Sequence, residues 1–443
     1  MLFQAIDYMS LTFAQKQALN LGCLRILIRT VGSIMLLVSV LIYSYFADLS
    51  FTPPKKEHPV QVALATTAEG WSTTANGQLV FQLAKNPQMK VYGLVPKSTQ
   101  EQRDQAKRSN IELVNAKKKI GFSENELLAQ PLDNLDVDIL IMDSYGRDLG
   151  KQAQDIKIKK HCKLAQVVHT ISKGLEKYNP GTADPEQLTE REIQLALCEQ
   201  ADVLIAIGPK VADAYISALQ FCGQHKDVIT LTPGIIPDLV GVRTTHDGDE
   251  MFHVMISATY PSEYFKVKGC DIAAKAITLL QDTSYHLIFV ILPTDDAEDL
   301  KRQLGGLISG KQFTVTHVSR STEEWMKQLR EVDLVIMPSA EGFGTICVRA
   351  ISADVPVLSS GNSGFGMALK KLPSGGMQVL DSEDPLVWAN KIREIRNKGP
   401  TQQALEAKQL REEYMREYCW KDQCDKLVDK IMDIFSSEEG MYM

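Results

Sequence analysis

The sequence predicts an α/β protein of two doubly wound domains facing one another across a cleft, preceded by a transmembrane helix. Three observations point there. From Val60 onward, short β-rich apolar runs alternate with amphipathic or charged stretches, the rhythm of strand, crossover helix and parallel strand. The alternation breaks once, at "GIIPDLVGVRTTHDGDE" (residues 234–250), and then resumes. Ahead of it, "TVGSIMLLVSVLIYSYFA" (residues 30–47) runs for 18 residues without a charge.

Length and composition set the bounds. At 443 residues the chain exceeds one ordinary core and suits two domains of roughly 150 to 200 residues with appendages. A net charge of −7 offers no basic excess for phosphate neutralisation, which argues against a nucleic-acid partner. Any anion must therefore be held by a local arrangement. The eight cysteines (Cys23, Cys162, Cys198, Cys222, Cys270, Cys347, Cys419, Cys424) lack CxxC spacing and read as free thiols. No Ser-His-Asp order or metal-ligand cluster stands out, so no metal and no cofactor is expected.

Along the chain, residues 1–29 form a leading segment that carries Lys16, Arg25 and Arg29. The run 30–47 would span roughly 27 Å as a helix, enough to cross a bilayer core. Cations before it and Asp48 behind it place the N-terminus in the cytoplasm and the bulk of the chain across the membrane. A cleaved signal peptide of a secreted chain, or a core helix of a cytoplasmic one, leaves a similar run. Residues 48–58, with "FTPPKKEHP", read as an exposed stem, since prolines forbid regular structure and charges favour water.

The first domain, 59–236, takes "VQVALAT", "KVYGLVP", "IELVNA", "DILIMDS", "AQVVHT", "DVLIAI" and "DVITLTP" as its strands. Residues 237–250 link it to the second, 251–400, with "FHVMISA", "YHLIFVIL", "FTVTHVS", "DLVIMPS", "VPVLSS" and "MQVL". A C-terminal helix over 401–443 has helical spacing and either clasps the domains or lies on the surface. Asp295 and Asp296 in "LPTDDAED" read as a helix start. The Lys run in "NAKKKIGF" reads as a solvated face, and "DSYG" (residues 143–146) as a turn beside the cleft.

The chemistry concentrates in "MPSAEGFGTICVRAISADVPVLSSGNSGFG" (residues 337–366). A Gly-Phe-Gly turn at a helix start exposes backbone N–H groups, with the positive end of the helix dipole aimed at a diphosphate. This stretch resembles the donor-site signature of family-four, GT-B-fold retaining glycosyltransferases. "VVHT", "KGCDIAAKAI", "DLVIMPS" and "YCW" extend the likeness in order over roughly residues 60–420.

The resemblance implies two Rossmann-like domains and transfer of a sugar, with retention, from a nucleotide-sugar donor to an acceptor hydroxyl. It makes Glu341 and His169 the sugar-contacting, catalytic pair. It assigns the donor to Lys268, Gly269, Gly342, Phe343, Gly344, Thr345 and Arg349. Arg349 stands where the signature has a second glutamate that contacts the ribose, and Arg only donates. Ala258 and Thr259 fill the place of a Gly-Arg pair, and Ser72 and Thr73 that of a Gly-Gly turn after Gly70. These departures imply activity weakened or lost. A membrane-tethered, non-catalytic scaffold that binds a nucleotide, glycan or protein stays open as the alternative.

Overall fold

The computed structural model describes residues 58–65, 75–95, 97–115, 135–143, 153, 156–170, 198, 200–221, 226–242, 251–258, 264–292, 295–318, 322–339 and 342–439. The chain divides into the units Met1–Glu57 and His58–Met443, and both sheets belong to the second. Residues 30–47 lie outside the described residues; no described helix is long and apolar enough to cross a membrane.

Every apolar run named above as a strand is one. The first domain runs β1 (Val60–Ala65), α1 (Ala75–Leu83), β2 (Met89–Val95), α2 (Gln100–Arg108), β3 (Ile111–Asn115), β4 (Ile139–Asp143), β5 (Lys163–Val168), β6 (Val203–Ile207), α3 (Pro209–Phe221) and β7 (Val228–Leu231). Its sheet is ordered β3-β2-β1-β4-β5-β6-β7, every pair parallel. All five residues of β6 are buried, as a strand covered on both faces requires.

The second domain repeats the plan. It runs β8 (Phe252–Ser257), α4 (Cys270–Leu279), β9 (Tyr285–Ile291), α5 (Ala297–Leu304), β10 (Phe313–His317), α6 (Thr322–Arg330), β11 (Leu334–Met337), α7 (Thr345–Ser352), β12 (Val357–Ser360), α8 (Gly364–Leu369), β13 (Val379–Leu380) and α9 (Pro385–Asn397). Its parallel sheet is ordered β10-β9-β8-β11-β12-β13. The strand order therefore reverses between β1 and β4 in one sheet and between β8 and β11 in the other.

Strand-opening aspartates secure the end of the sheets away from these turns. Asp138 Oδ2 accepts from the Gln61 amide at 2.8 Å, Asp202 Oδ2 from Leu164 at 2.7 Å and Asp333 Oδ2 from His253 at 2.8 Å. Each precedes one strand and ties the start of its neighbour, so these carboxylates serve the sheet rather than a ligand.

The C-terminal segment, expected as one helix, is two: α10 (Gly399–Glu417) and α11 (Trp420–Glu439). The break at Tyr418 and Cys419 lets α11 turn back onto α1 of the first domain. The chain's exit from the first domain is gripped there. Gln423 Oε1 accepts from the Thr232 amide at 2.7 Å, Gln423 Nε2 donates to the Thr232 carbonyl at 3.0 Å, and the Tyr414 hydroxyl donates to the Pro233 carbonyl at 2.7 Å. The start of the expected linker is likewise packed: residues Pro237–Leu239 form a 3-10 turn with Leu239 buried.

Candidate functional site

Open parallel sheets bind ligands beyond the carboxyl ends of their strands, where the order reverses. In the second domain that point lies between β8 and β11. Two helices begin beside it, α4 after Gly269 and α7 after Gly344, and both glycines are left-handed, at φ +71° and +97°. Neither helix start is capped by a side chain. By contrast, α2, α5, α8 and α9 are capped by the side chains of Thr99, Asp296, Ser363 and Asp384, although the start of α10 carries no side-chain cap either. A capping oxygen would sit where an anion binds; glycine leaves the first amides and the dipole open.

The two starts adjoin. A Cβ on Gly269 would lie 2.5 Å from Pro338 Cβ, so α4 begins against the end of β11, and only glycine allows that approach. Lys268 is half-buried immediately before it, placing a cation beside the loop that leads to Gly342 (φ +71°) and Gly344. The carbonyls of Gly342 and Phe343 accept from the amides of Gly364 and Phe365, at 3.1 and 2.8 Å. The second Gly-rich stretch, residues 360–366, thereby holds the first in shape. Thr345, the first residue of α7, is exposed.

Phe343, expected among the donor-binding residues, has its side chain taken up by packing. Its ring is 4% exposed, stands edge-on to Phe365 at 6.1 Å and presses on Gly208 of the first domain, where any Cβ would collide with it. Packing claims the ring and leaves only the Phe343 backbone for a ligand. Gly208 (φ +84°) directly follows β6, and one residue into α3 Lys210 Nζ donates to Asn362 of the second domain, to its carbonyl at 2.5 Å and to Oδ1 at 3.2 Å. The carboxyl end of β6 therefore meets the loop that follows β11, at Phe343, and the one that follows β12, at Asn362. His169 directly follows β5, the neighbour of β6, and is half-buried; the Tyr215 hydroxyl donates to the next carbonyl, that of Thr170, at 3.4 Å.

Arg349 lies one turn inside α7, its Cζ 4.5 Å from the centroid of the Trp325 ring on α6. The thiols nearby are inert: burial pushes Cys270 up to about 12 against the opposing pull of Lys268, and burial alone raises Cys347 well above the ordinary thiol range. Neither supplies a thiolate nucleophile near neutral pH. The six described cysteines carry no disulfide.

The structure thus brings Lys268 and Gly269 together with Gly342, Gly344 and Thr345, and sets His169 on the facing domain. Glu341, Thr259, Gly70, Ser72 and Thr73 lie outside the described residues, as do the Lys run and most of "DSYG". Asp296 is a helix cap, as read, accepting from the amides of Glu298 and Asp299. Sequence reasoning missed Gly208, Lys210 and Trp325. The available signal was "IGPK", a glycine directly after a strand and before a proline that opens a helix.

Comparison with known proteins bears on the family and the fold. The pattern of the family described as "Family 4 Glycosyltransferase in conflict systems" matches residues 65–427. A D-inositol 3-phosphate glycosyltransferase of Corynebacterium diphtheriae is 20% identical over 290 residues, 60% of this chain and 64% of that one; the match thus spans less than two thirds of the relative. Among solved structures, a sucrose-phosphate synthase from Thermosynechococcus elongatus superposes with a TM-score of 0.66 at 14% identity, over 85% of this chain and 100% of that one. The Anabaena protein HepE, solved with UDP and glucose, gives 0.60 at 13% identity, over 84% and 100%. At such identities the structural likeness speaks to the fold alone.

Proposed function

The chain belongs to the family-4 glycosyltransferases in conflict systems, and from that premise we propose that it transfers a sugar from a nucleotide-sugar donor to an acceptor hydroxyl, with retention. One observation carries the donor class: two glycine-opened helix starts, neither capped by a side chain, meet beside Lys268, while α2, α5 and α9, away from the site, are capped by side chains. Such a pocket suits a diphosphate, and it stabilises the charge that develops as the diphosphate leaves. In this reading Glu341 and His169 contact the sugar, the residues from Gly342 to Thr345 offer their backbone, and Lys268 neutralises the phosphates. HepE, whose structure carries a uridine nucleotide, makes UDP the first ligand to try.

Calorimetry of the full chain with UDP, GDP and ADP, and of Lys268→Ala beside it, tests the proposal. A charge-assisted contact is worth about 1.5–3 kcal/mol, so the substitution should weaken binding roughly 10- to 100-fold. Binding unchanged by the substitution would remove Lys268 from the site, and a chain that binds no nucleotide would remove the donor reading. The alternative, a binder without efficient turnover, draws on Arg349, a cation where the resembled signature has a carboxylate. Incubation with UDP-glucose separates the two: nucleotide binding without release of UDP favours the binder. We extend the proposal to a membrane anchor through residues 30–47, motivated by 18 residues without a charge.

A further inference from the structure

The turn between β12 and α8 is built around three buried serines. Ser359 and Ser363 are 0% exposed and Ser360 is 8% exposed. A buried hydroxyl is costly unless it is hydrogen-bonded, and here one oxygen collects the bonds. Ser363 Oγ donates to the Ser360 carbonyl at 2.7 Å and accepts from the Gly366 amide at 2.9 Å, and Ser359 Oγ lies 2.9 Å from it. A hydroxyl has one proton and two lone pairs. With its proton on the Ser360 carbonyl, Ser363 accepts from Ser359 as well, and its bonding capacity is full.

This turn sets the direction of amides on the neighbouring loop. Directly after Ser363, the amides of Gly364 and Phe365 donate to the carbonyls of Gly342 and Phe343, at 3.1 and 2.8 Å. In a planar trans peptide the C=O and the next N–H point opposite ways. Holding those two carbonyls therefore turns the Phe343 and Gly344 amides away from the serine turn, at the start of α7, and among the described residues neither amide finds a protein acceptor. We infer that Ser363 is a positioning residue for a nucleotide's phosphates: its hydroxyl, backed by Ser359, fixes the turn that aims the Phe343 and Gly344 amides. The inference rests on the donor reading above and adds a residue that acts on the phosphates only through the backbone of the loop after β11.

Calorimetry on the full chain tests this with UDP, GDP and ADP, each against its own nucleoside, beside thermal unfolding of every variant without ligand. For the base that the parent prefers, Ser363→Ala should weaken the diphosphate about five- to tenfold and leave the nucleoside as in the parent. Ser363→Thr, which keeps the hydroxyl, should keep the parental ratio of the two affinities, and Ser359→Ala should lose part of it. A residue that merely stabilises the fold would lower the unfolding midpoint and leave that ratio unmoved. Where Ser363→Ala does not fold, Ser359→Ala carries the test, since it leaves the Ser363 cap on the Gly366 amide in place. A diphosphate affinity unchanged in the folded variant, a loss shared equally by the nucleoside, or a loss that Ser363→Thr shows in full overturns the inference and leaves the donor reading standing. If the parent binds no nucleoside diphosphate, both fall.

Discussion

At the scale of single residues, the site depends on glycines whose backbone no other residue adopts cheaply. Gly208 is the clearest, because it is left-handed at φ +84° and lies under the Phe343 ring. A side chain there meets both the torsional penalty and the aromatic ring. Gly208→Val should lower stability by about 2 kcal/mol or more, read as a lower urea midpoint. A parental midpoint would mean that the first domain does not press on the loop after β11 at this position. The aspartates show the converse, a charged residue type that reads as chemistry and serves the backbone. Asp138, Asp202 and Asp333 each accept from an adjacent strand's amide, which leaves the opposite end of both sheets to ligands.

At the scale of elements, the two site helices differ from α2, α5, α8 and α9 in how their starts are finished. Polar side chains finish the ends that carry stability, and Glu413 of α10 extends this to a turn. Its carboxylate accepts from the Ser374 amide at 2.9 Å, the Ser374 hydroxyl at 2.7 Å and Gln409 Nε2 at 3.0 Å. Burial pushes Glu413 upward, but the donors from Gln409 and Ser374 outweigh it and hold the group below the usual glutamate range. A carboxylate lowered on folding contributes stability above its unfolded value, about 4.3. That contribution is lost as pH falls through the lower folded value. Urea midpoints measured at steps from about pH 6 to pH 3 should therefore decline for the parent and decline less for Glu413→Gln. Identical slopes would show that the Ser374 turn does not depend on the charge.

At the scale of the whole molecule, the C-terminal helices join the domains. Aromatic rings run from the loop after β11 to that junction: Phe343 to Phe365 at 6.1 Å, Phe365 to Tyr414 at 5.8 Å and Tyr414 to Tyr418 at 4.8 Å. The proposed anchor also belongs to this scale. Full-length protein should stay with the membrane pellet after alkaline carbonate extraction; recovery in the supernatant, or a mature N-terminus near residue 48, would replace the anchor with a core helix or a cleaved signal. The sequence by itself determined the strands, their division between two domains, the family and the glycine-opened loop after β11. These rest on short windows, where apolar runs, turn residues and helix starts declare themselves locally. Only the tertiary structure decided that Phe343 is a wedge, that Lys210 reaches Asn362, that Arg349 stacks on Trp325 and that α11 returns to the first domain. The physical reason is distance along the chain: Lys210 and Asn362 are 152 residues apart and Tyr414 and Pro233 are 181 apart, and no local pattern records which of many compatible surfaces a side chain will bury against.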